Sequence, residues 1–215
     1  MRPEQFEPKH LKFSKMMALV QQTSIQLRGT FFPTLSPRRT PPGNDWVGVE
    51  LQEAWRLEAW RLYQSGQLLL YTSLLEDWQD KLNNRYLSEG WKSGLELSVE
   101  GVVFRLLEIY EYAAHLASEE DYHLKGKIRV ELTLSGLQGR ALQISPRTSQ
   151  IPLFRDFATE AQEISYSGDY SKEELLTQAR EMSLSPALEI FDRFGWNPSL
   201  SFIQGIQAQL PSTLG

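Results

Sequence analysis

The chain has 215 residues, a formal net charge of −5, no cysteine, and 41% hydrophobic against 23% charged residues. That length supports a substantial buried core, while the acidic balance removes any general attraction to phosphate backbones. The missing cysteines exclude a disulfide framework, a thiolate zinc site and a cysteine nucleophile. Met1 to Phe6 lacks the apolar run of a signal peptide, and no stretch approaches the roughly 20 apolar residues of a membrane span, so the expectation is a soluble, cytoplasmic chain.

In chain order, residues 8–22 read as a short amphipathic helix with Leu11, Met16, Leu19 and Val20 on one side. Thr23 to Gly29 alternates like a strand ended by glycine. Pro33 to Asn44 carries Pro33, Pro37, Pro41 and Pro42 with Arg38 and Arg39, a composition that neither a helix nor a central strand accommodates, so an exposed loop is expected over 33–44. Trp46 to Leu51 alternates again and is expected to pair with the first strand across that loop as a wide hairpin.

A tandem repeat follows, Glu53-Ala54-Trp55-Arg56-Leu57 and Glu58-Ala59-Trp60-Arg61-Leu62. A shift of five residues changes face on a strand and rotates by about 140° on a helix, so Trp55 and Trp60 cannot share one environment. Composition predicts a helix running to Tyr63. After Ser65-Gly66, Gln67 to Leu74 reads as a buried strand, and Glu76 to Leu82 as a polar helical segment. Gly94 to Val99 is a short strand or the lead into the longest periodic stretch of the chain, a helix over Ser98 to Glu120. Its apolar positions, among them Val99, Val102, Val103, Leu106, Tyr110, Ala113 and Ala117, hold helical spacing over five turns, and Ser98 is a fair N-cap. Arg105, Glu108, Glu111, His115 and Glu119 fall mostly together between them, with Arg105 and Glu108 placed to pair.

Lys127 to Leu134 and Arg140 to Ile144 alternate strictly around the glycine-bracketed Ser135 to Gly139, which predicts a β-hairpin with one solvated face. Glu163 to Tyr166 reads as an edge strand. Ser171 with Glu174 forms a capping box opening a helix to about Met182. Pro186 suits the first turn of the next helix, which stops at Gly195, and Pro198 opens the last, with Leu200, Ile203, Ile206 and Leu210. These elements make a single α+β domain over 1–215: a mainly antiparallel sheet packed with a long central helix and C-terminal helices.

The chemistry is sparse. No Walker A loop, G-x-G-x-x-G fingerprint, G-x-S-x-G elbow or H-E-x-x-H pair occurs. Glu119, Glu120, Asp121 and His123 offer metal-ligand chemistry, but neighbouring residues diverge, and a solvated helix end accounts for them better. Glu76, Asp77 and Asp80 could act as paired carboxylates, although Lys81 and Arg85 follow at ion-pairing distance. No nuclease set assembles around the predicted hairpin. Arg38 and Arg39 could grip a phosphate, and the segment Pro37 to Pro42 could dock as polyproline on an aromatic groove. The rings are more telling: Trp46, Trp55, Trp60, Trp78, Trp91 and Trp196 with Tyr63 and Tyr71 exceed what a core of this size requires, and Trp and Tyr are favoured interface anchors.

Ser24-Ile25-Gln26-Leu27-Arg28-Gly29-Thr30-Phe31-Phe32-Pro33, Asn44-Asp45-Trp46-Val47-Gly48, Trp60 to Gln67, Glu76-Asp77-Trp78, Leu107 to Ala114 and Phe191 to Trp196 together resemble a bacterial region that follows the Schlafen-like AlbA_2 domain in some ATP-binding proteins. Where that pattern carries a Trp-Asp pair, this chain has Thr30-Phe31. The resemblance implies an accessory or sensing module working beside a nucleic-acid-linked or defence-related partner, and it brings no catalytic residues.

Residues and resemblance together lead to a non-enzymatic module that binds a protein through Trp55, Trp60, Tyr63 and Trp78, with Arg38 and Arg39 of the proline-bearing loop, and that needs no cofactor or metal. Direct nucleic-acid contact and homo-oligomers stay open. The alternative is a metal-dependent hydrolase or nuclease-related enzyme using Asp77, Asp80, Glu119, Asp121 and His123.

Overall fold

A helix with apolar residues on most of its circumference needs cover on most sides, and the computed structural model is arranged to supply it. The structure describes residues 1–5, 7–35, 42–53, 56–77, 94–122, 126–144 and 157–211. Among them are the strands β1 (Arg2–Pro3), β2 (Trp46–Glu53), β3 (Arg56–Tyr63), β4 (Leu68–Thr72), β5 (Glu96–Ser98), β6 (Ile128–Ser135), β7 (Ala141–Gln143) and β8 (Glu163–Tyr170). The helices are α1 (Phe13–Thr23), α2 (Val99–Ser118), α3 (Lys172–Met182), α4 (Leu184–Asp192) and α5 (Leu200–Gln207). The fold is α+β, with antiparallel sheets β1-β6-β8 and β2-β3-β4 and a small parallel pair β5-β7.

Local signals set the helix starts. Ser98 accepts a hydrogen bond from the Gly101 amide at 3.0 Å to cap α2. Ser171 and Glu174 form the reciprocal capping box of α3. The last helix starts later than its proline, at Leu200 behind the Ser199 cap.

The twenty residues of α2 run through two packed clusters. Its first half, Val99 to Leu106, meets Leu97, Leu142, Ile164, Phe191 and Ile203. Its second half, Leu107 to Ala117, meets Met16 and Leu19 of α1, Val49, Trp60 and Leu68 of the β2-β3-β4 sheet, and Leu175 of α3. Even the polar stripe is covered: Glu108 and Glu111 are 1% and 0% exposed. Arg28 makes a two-pronged bond to Glu108, Nε to Oε1 at 2.8 Å and Nη2 to Oε2 at 2.6 Å, and Arg105 joins at 3.1 Å. Arg180 reaches Glu111 at 3.0 Å. Ion pairing is what allows carboxylates to sit that deep.

Four expectations are corrected by pairing that local patterns do not specify. The stretch expected to be a helix to Tyr63 is strand: β2 and β3 pair in unbroken register from Trp46 opposite Tyr63 to Glu53 opposite Arg56, so partner strands override the helix-favouring Glu, Ala, Arg and Leu of the repeat. The wide hairpin between Thr23–Gly29 and Trp46–Leu51 does not form, because Ile25 bonds Phe32 of its own loop in both directions, at 3.0 and 2.8 Å. The hairpin expected between Lys127–Leu134 and Arg140–Ile144 is also replaced. The chain does turn at Gly136 and Gly139, both with positive φ, but β6 pairs with β8, and β7 leaves to pair in parallel with β5. Finally, the stretch read as a buried strand becomes β4, of which Leu68 is buried while Leu69 and Tyr71 are exposed. Of the loop expected to be exposed over 33–44, Pro33 and Thr34 are buried, and 36–41 lie outside the described residues.

At the junction of the two larger sheets, the Leu68 amide donates to the Met1 carbonyl and the Met1 amino group donates back to the Leu68 carbonyl, each at 2.9 Å. Residues 1–3 therefore stitch β4 to β6, since Arg2 and Pro3 pair with Arg129 and Ile128.

Candidate protein-interaction surface

Alternation along β2, β3 and β4 divides their side chains between two faces. Val47, Val49, Trp60, Leu62 and Leu68 point inward and are all at most 5% exposed. Glu58 points inward with them at 0% exposure and accepts a hydrogen bond from the Thr34 amide at 2.7 Å. The Trp60 indole N–H donates to the Thr34 carbonyl at 2.8 Å. Trp60 is 1% exposed. This corrects the expectation that Trp60 is a partner anchor: its ring and its one donor are both used inside the molecule.

The outer face is formed by cross-strand neighbours. Trp46 lies opposite Tyr63, Gly48 opposite Arg61, Glu50 opposite Ala59, and across the next pair Arg61 lies opposite Leu69 and Ala59 opposite Tyr71. Leu69 and Tyr71 are 48% and 61% exposed, while Trp46 and Tyr63 are half-buried. The Arg61 guanidinium stacks over the Trp46 ring at 4.6 Å from its centroid, a cation–π contact that fixes both side chains. Gly48 leaves the room for this: a Cβ there would run into the Trp60 carbonyl oxygen and press on the Arg61 stem. The result is a shallow platform of rings and aliphatic carbons, with Arg61 and Glu50 supplying one charge of each sign.

Of the residues singled out from sequence, Tyr63 is on this platform. Trp55, Trp78, Arg38 and Arg39 lie outside the described residues. Sequence spacing does not single out Arg61 or Leu69, and it offers Trp46 and Tyr71 only among the surplus rings. The alternation of β3 would have found them, because burying Trp60 and Leu62 turns Ala59, Arg61 and Tyr63 outward.

The described acidic residues make structural contacts. Asp77 pairs with Arg140 at 2.8 Å, and Arg140 also donates to the carbonyls of Gly136 at 2.7 Å and Glu96 at 3.0 Å, so this carboxylate braces the turn after β6. Glu76 is buried beside it and accepts from the Ser98 amide at 2.6 Å; desolvation holds its carboxyl above the usual carboxylate range. Glu120 is exposed, Glu119 is half-buried, and Asp80, His123 and the side chain of Asp121 lie outside what is described. Among the described residues no three His, Asp or Glu side chains are grouped so as to hold a metal ion. His10 contacts the Tyr122 carbonyl at 3.0 Å beside a cleft of about 150 Å³ shared with Lys12, Lys15 and Glu120. That volume falls below the roughly 300 Å³ at which small-molecule sites begin.

Among the described residues no helix is long and apolar enough to cross a membrane. Comparison with protein-family models, with curated proteins and with solved structures finds no match.

Proposed function

We propose that this chain is a binding module that holds a protein partner on the outer face of the β2-β3-β4 sheet. The observation that carries the reading is the exposure of Tyr71 and Leu69, 61% and 48%, on one face with Trp46, Tyr63 and the Trp46-stacked Arg61. Tyr, Trp and Arg are the residue types that dominate interface energetics, and rings held by a rigid sheet lose little entropy on binding. An apolar patch with a polar rim is the kind of surface a partner covers. The resemblance to the region that follows AlbA_2 domains implies a partner in a nucleic-acid-linked or defence-related system.

The test compares affinity capture by the wild type with capture by a Leu69→Ser, Tyr71→Ala double variant from the same native extract. A partner retained by the wild type and lost by a variant with unchanged thermal midpoint supports the reading. Equal capture by both overturns it. A thermal-shift screen with divalent metals and nucleotides addresses the enzymatic alternative, because a ligand that binds only the folded chain raises the midpoint.

A further inference from the structure

On the outer face of β2-β3-β4 the pairing register sets side chains in rows that run across the strands. One row is Gly48, Arg61 and Leu69; the next, two residues along each strand, is Glu50, Ala59 and Tyr71. Glu50, Arg61, Leu69 and Tyr71 are all exposed. Neither charge is consumed within the chain: among the described residues the side chains of Glu50 and Arg61 form no ion pair and no hydrogen bond. A guanidinium stacked on a ring, as Arg61 is on Trp46, keeps its in-plane N–H donors for another acceptor.

The two rows are complements of each other. Each holds one charge, of opposite sign, and where one carries Leu69 the other carries Tyr71. A two-fold axis that runs across the strands midway between the rows lays each row over the other row of a second copy. Leu69 then covers Tyr71 of the second copy, Arg61 lies over the small Ala59 of the second copy, and its guanidinium reaches Glu50 of the second copy on the neighbouring strand. Symmetry makes each contact twice. Other axes fail on charge: one along β3, or one centred on the first row, sets Arg61 on Arg61, and one centred on the second row sets Glu50 on Glu50. We propose that the occupant of this face is a second copy of the chain, held by reciprocal Arg61 to Glu50 pairs in a face-to-face homodimer. This rests on the reading of the outer face as a binding surface and names its partner. Three strands at about 4.8 Å spacing give a footprint roughly 14 Å wide, in the class of small interfaces, so the dimer forms on concentration.

The test is molecular mass by sedimentation from about 1 μM to about 1 mM, for the wild type, Arg61→Glu, Glu50→Arg and an equimolar mixture of the two variants. Wild type moves from the 24.8 kDa monomer toward twice that mass as concentration rises. Each variant alone sets like charges against each other in both contacts and weakens self-association at least about tenfold. Both side chains are exposed, so both variants keep the fold and the thermal midpoint. In the mixture the new carboxylate of one variant meets the new guanidinium of the other, and Glu50 of the first meets Arg61 of the second, so a heterodimer forms from two chains that do not pair with themselves. Variants that dimerise as the wild type does, or a mixture that stays monomeric, overturn the proposal. A wild type monomeric at every concentration overturns it too. If the Leu69→Ser, Tyr71→Ala variant then loses a partner that the monomeric wild type captures, the face remains a binding surface for another protein; if capture is unchanged, both readings fall.

Discussion

Trp60 and Tyr71 belong to neighbouring strands of one sheet, yet their replacement by alanine has different consequences because they face opposite ways. Trp60 is 1% exposed. A buried indole hides roughly 200 Å² of surface, which at about 25 cal/mol per Å² corresponds to about 5 kcal/mol. Large-to-small substitutions of buried aromatic rings cost about 3–5 kcal/mol, and withdrawal of the indole donor from the Thr34 carbonyl adds about 1 kcal/mol. Trp60→Ala is therefore expected to cost about 4–6 kcal/mol, close to the whole stability of a marginal domain. Trp60→Phe keeps most of the ring and loses the donor, for about 1–2 kcal/mol. Tyr71→Ala, at 61% exposure, stays within about 0.5 kcal/mol of the wild type. Urea denaturation followed by circular dichroism measures all three, provided that the slope with denaturant is unchanged. A Trp60→Ala variant within 1 kcal/mol of wild type, or a Tyr71→Ala variant destabilised by more than 2 kcal/mol (both thresholds on the order of common single-substitution effects), would refute the assignment of faces.

Arg28→Ala removes the two-pronged partner of the buried Glu108 and is expected to cost about 3 kcal/mol in the same assay, toward the low end for broken buried pairs because Arg105 remains. Glu76 is held above its unfolded value by burial, so its contribution to stability is fully present below the unfolded pKa and is lost as pH rises through the folded one. Glu76→Gln cannot titrate and keeps an acceptor for the Ser98 amide; its stability relative to wild type should rise between about pH 4.5 and neutrality, and a flat difference across that range contradicts the placement. Burial raises the phenols of Tyr110 and Tyr122 and pushes Tyr112 up to about 12. Stability tied to these neutral phenols is complete below pH of about 10 and declines above it, so ultraviolet titration should show a late, cooperative group of tyrosines that merges with the rest in denaturant.

What the amino-acid order made legible is what local chemistry decides. The cap of α2 at Ser98, the capping box at Ser171 and Glu174, and the pairing of Arg105 with Glu108 all lie within one helical turn, and all appear where the spacing places them. Strand partners were not legible. Alternation in Lys127 to Leu134 and Arg140 to Ile144 says that each strand has one solvated face, but not which strand lies beside it; Leu142 finds Leu97, and Leu132 finds Tyr166. The repeated Glu-Ala-Trp-Arg-Leu favours a helix only until neighbouring strands offer hydrogen bonds, after which Trp60 turns inward and Arg61 outward. Nor could spacing reveal that Glu108 and Glu111 are buried, since their arginines come from Arg28 and Arg180, far away in the chain.

Residues 1–3 join the sheet that carries the proposed platform to the β1-β6-β8 sheet, through the bonds of Met1 to Leu68 and of β1 to β6. Tyr71→Ala leaves the buried inner face of that sheet intact, so it should lower affinity for a captured partner without moving the thermal midpoint. A Tyr71→Ala variant that keeps full affinity would take this ring out of the partner's footprint, and the outer face of β2-β3-β4 would lose its claim to the contact.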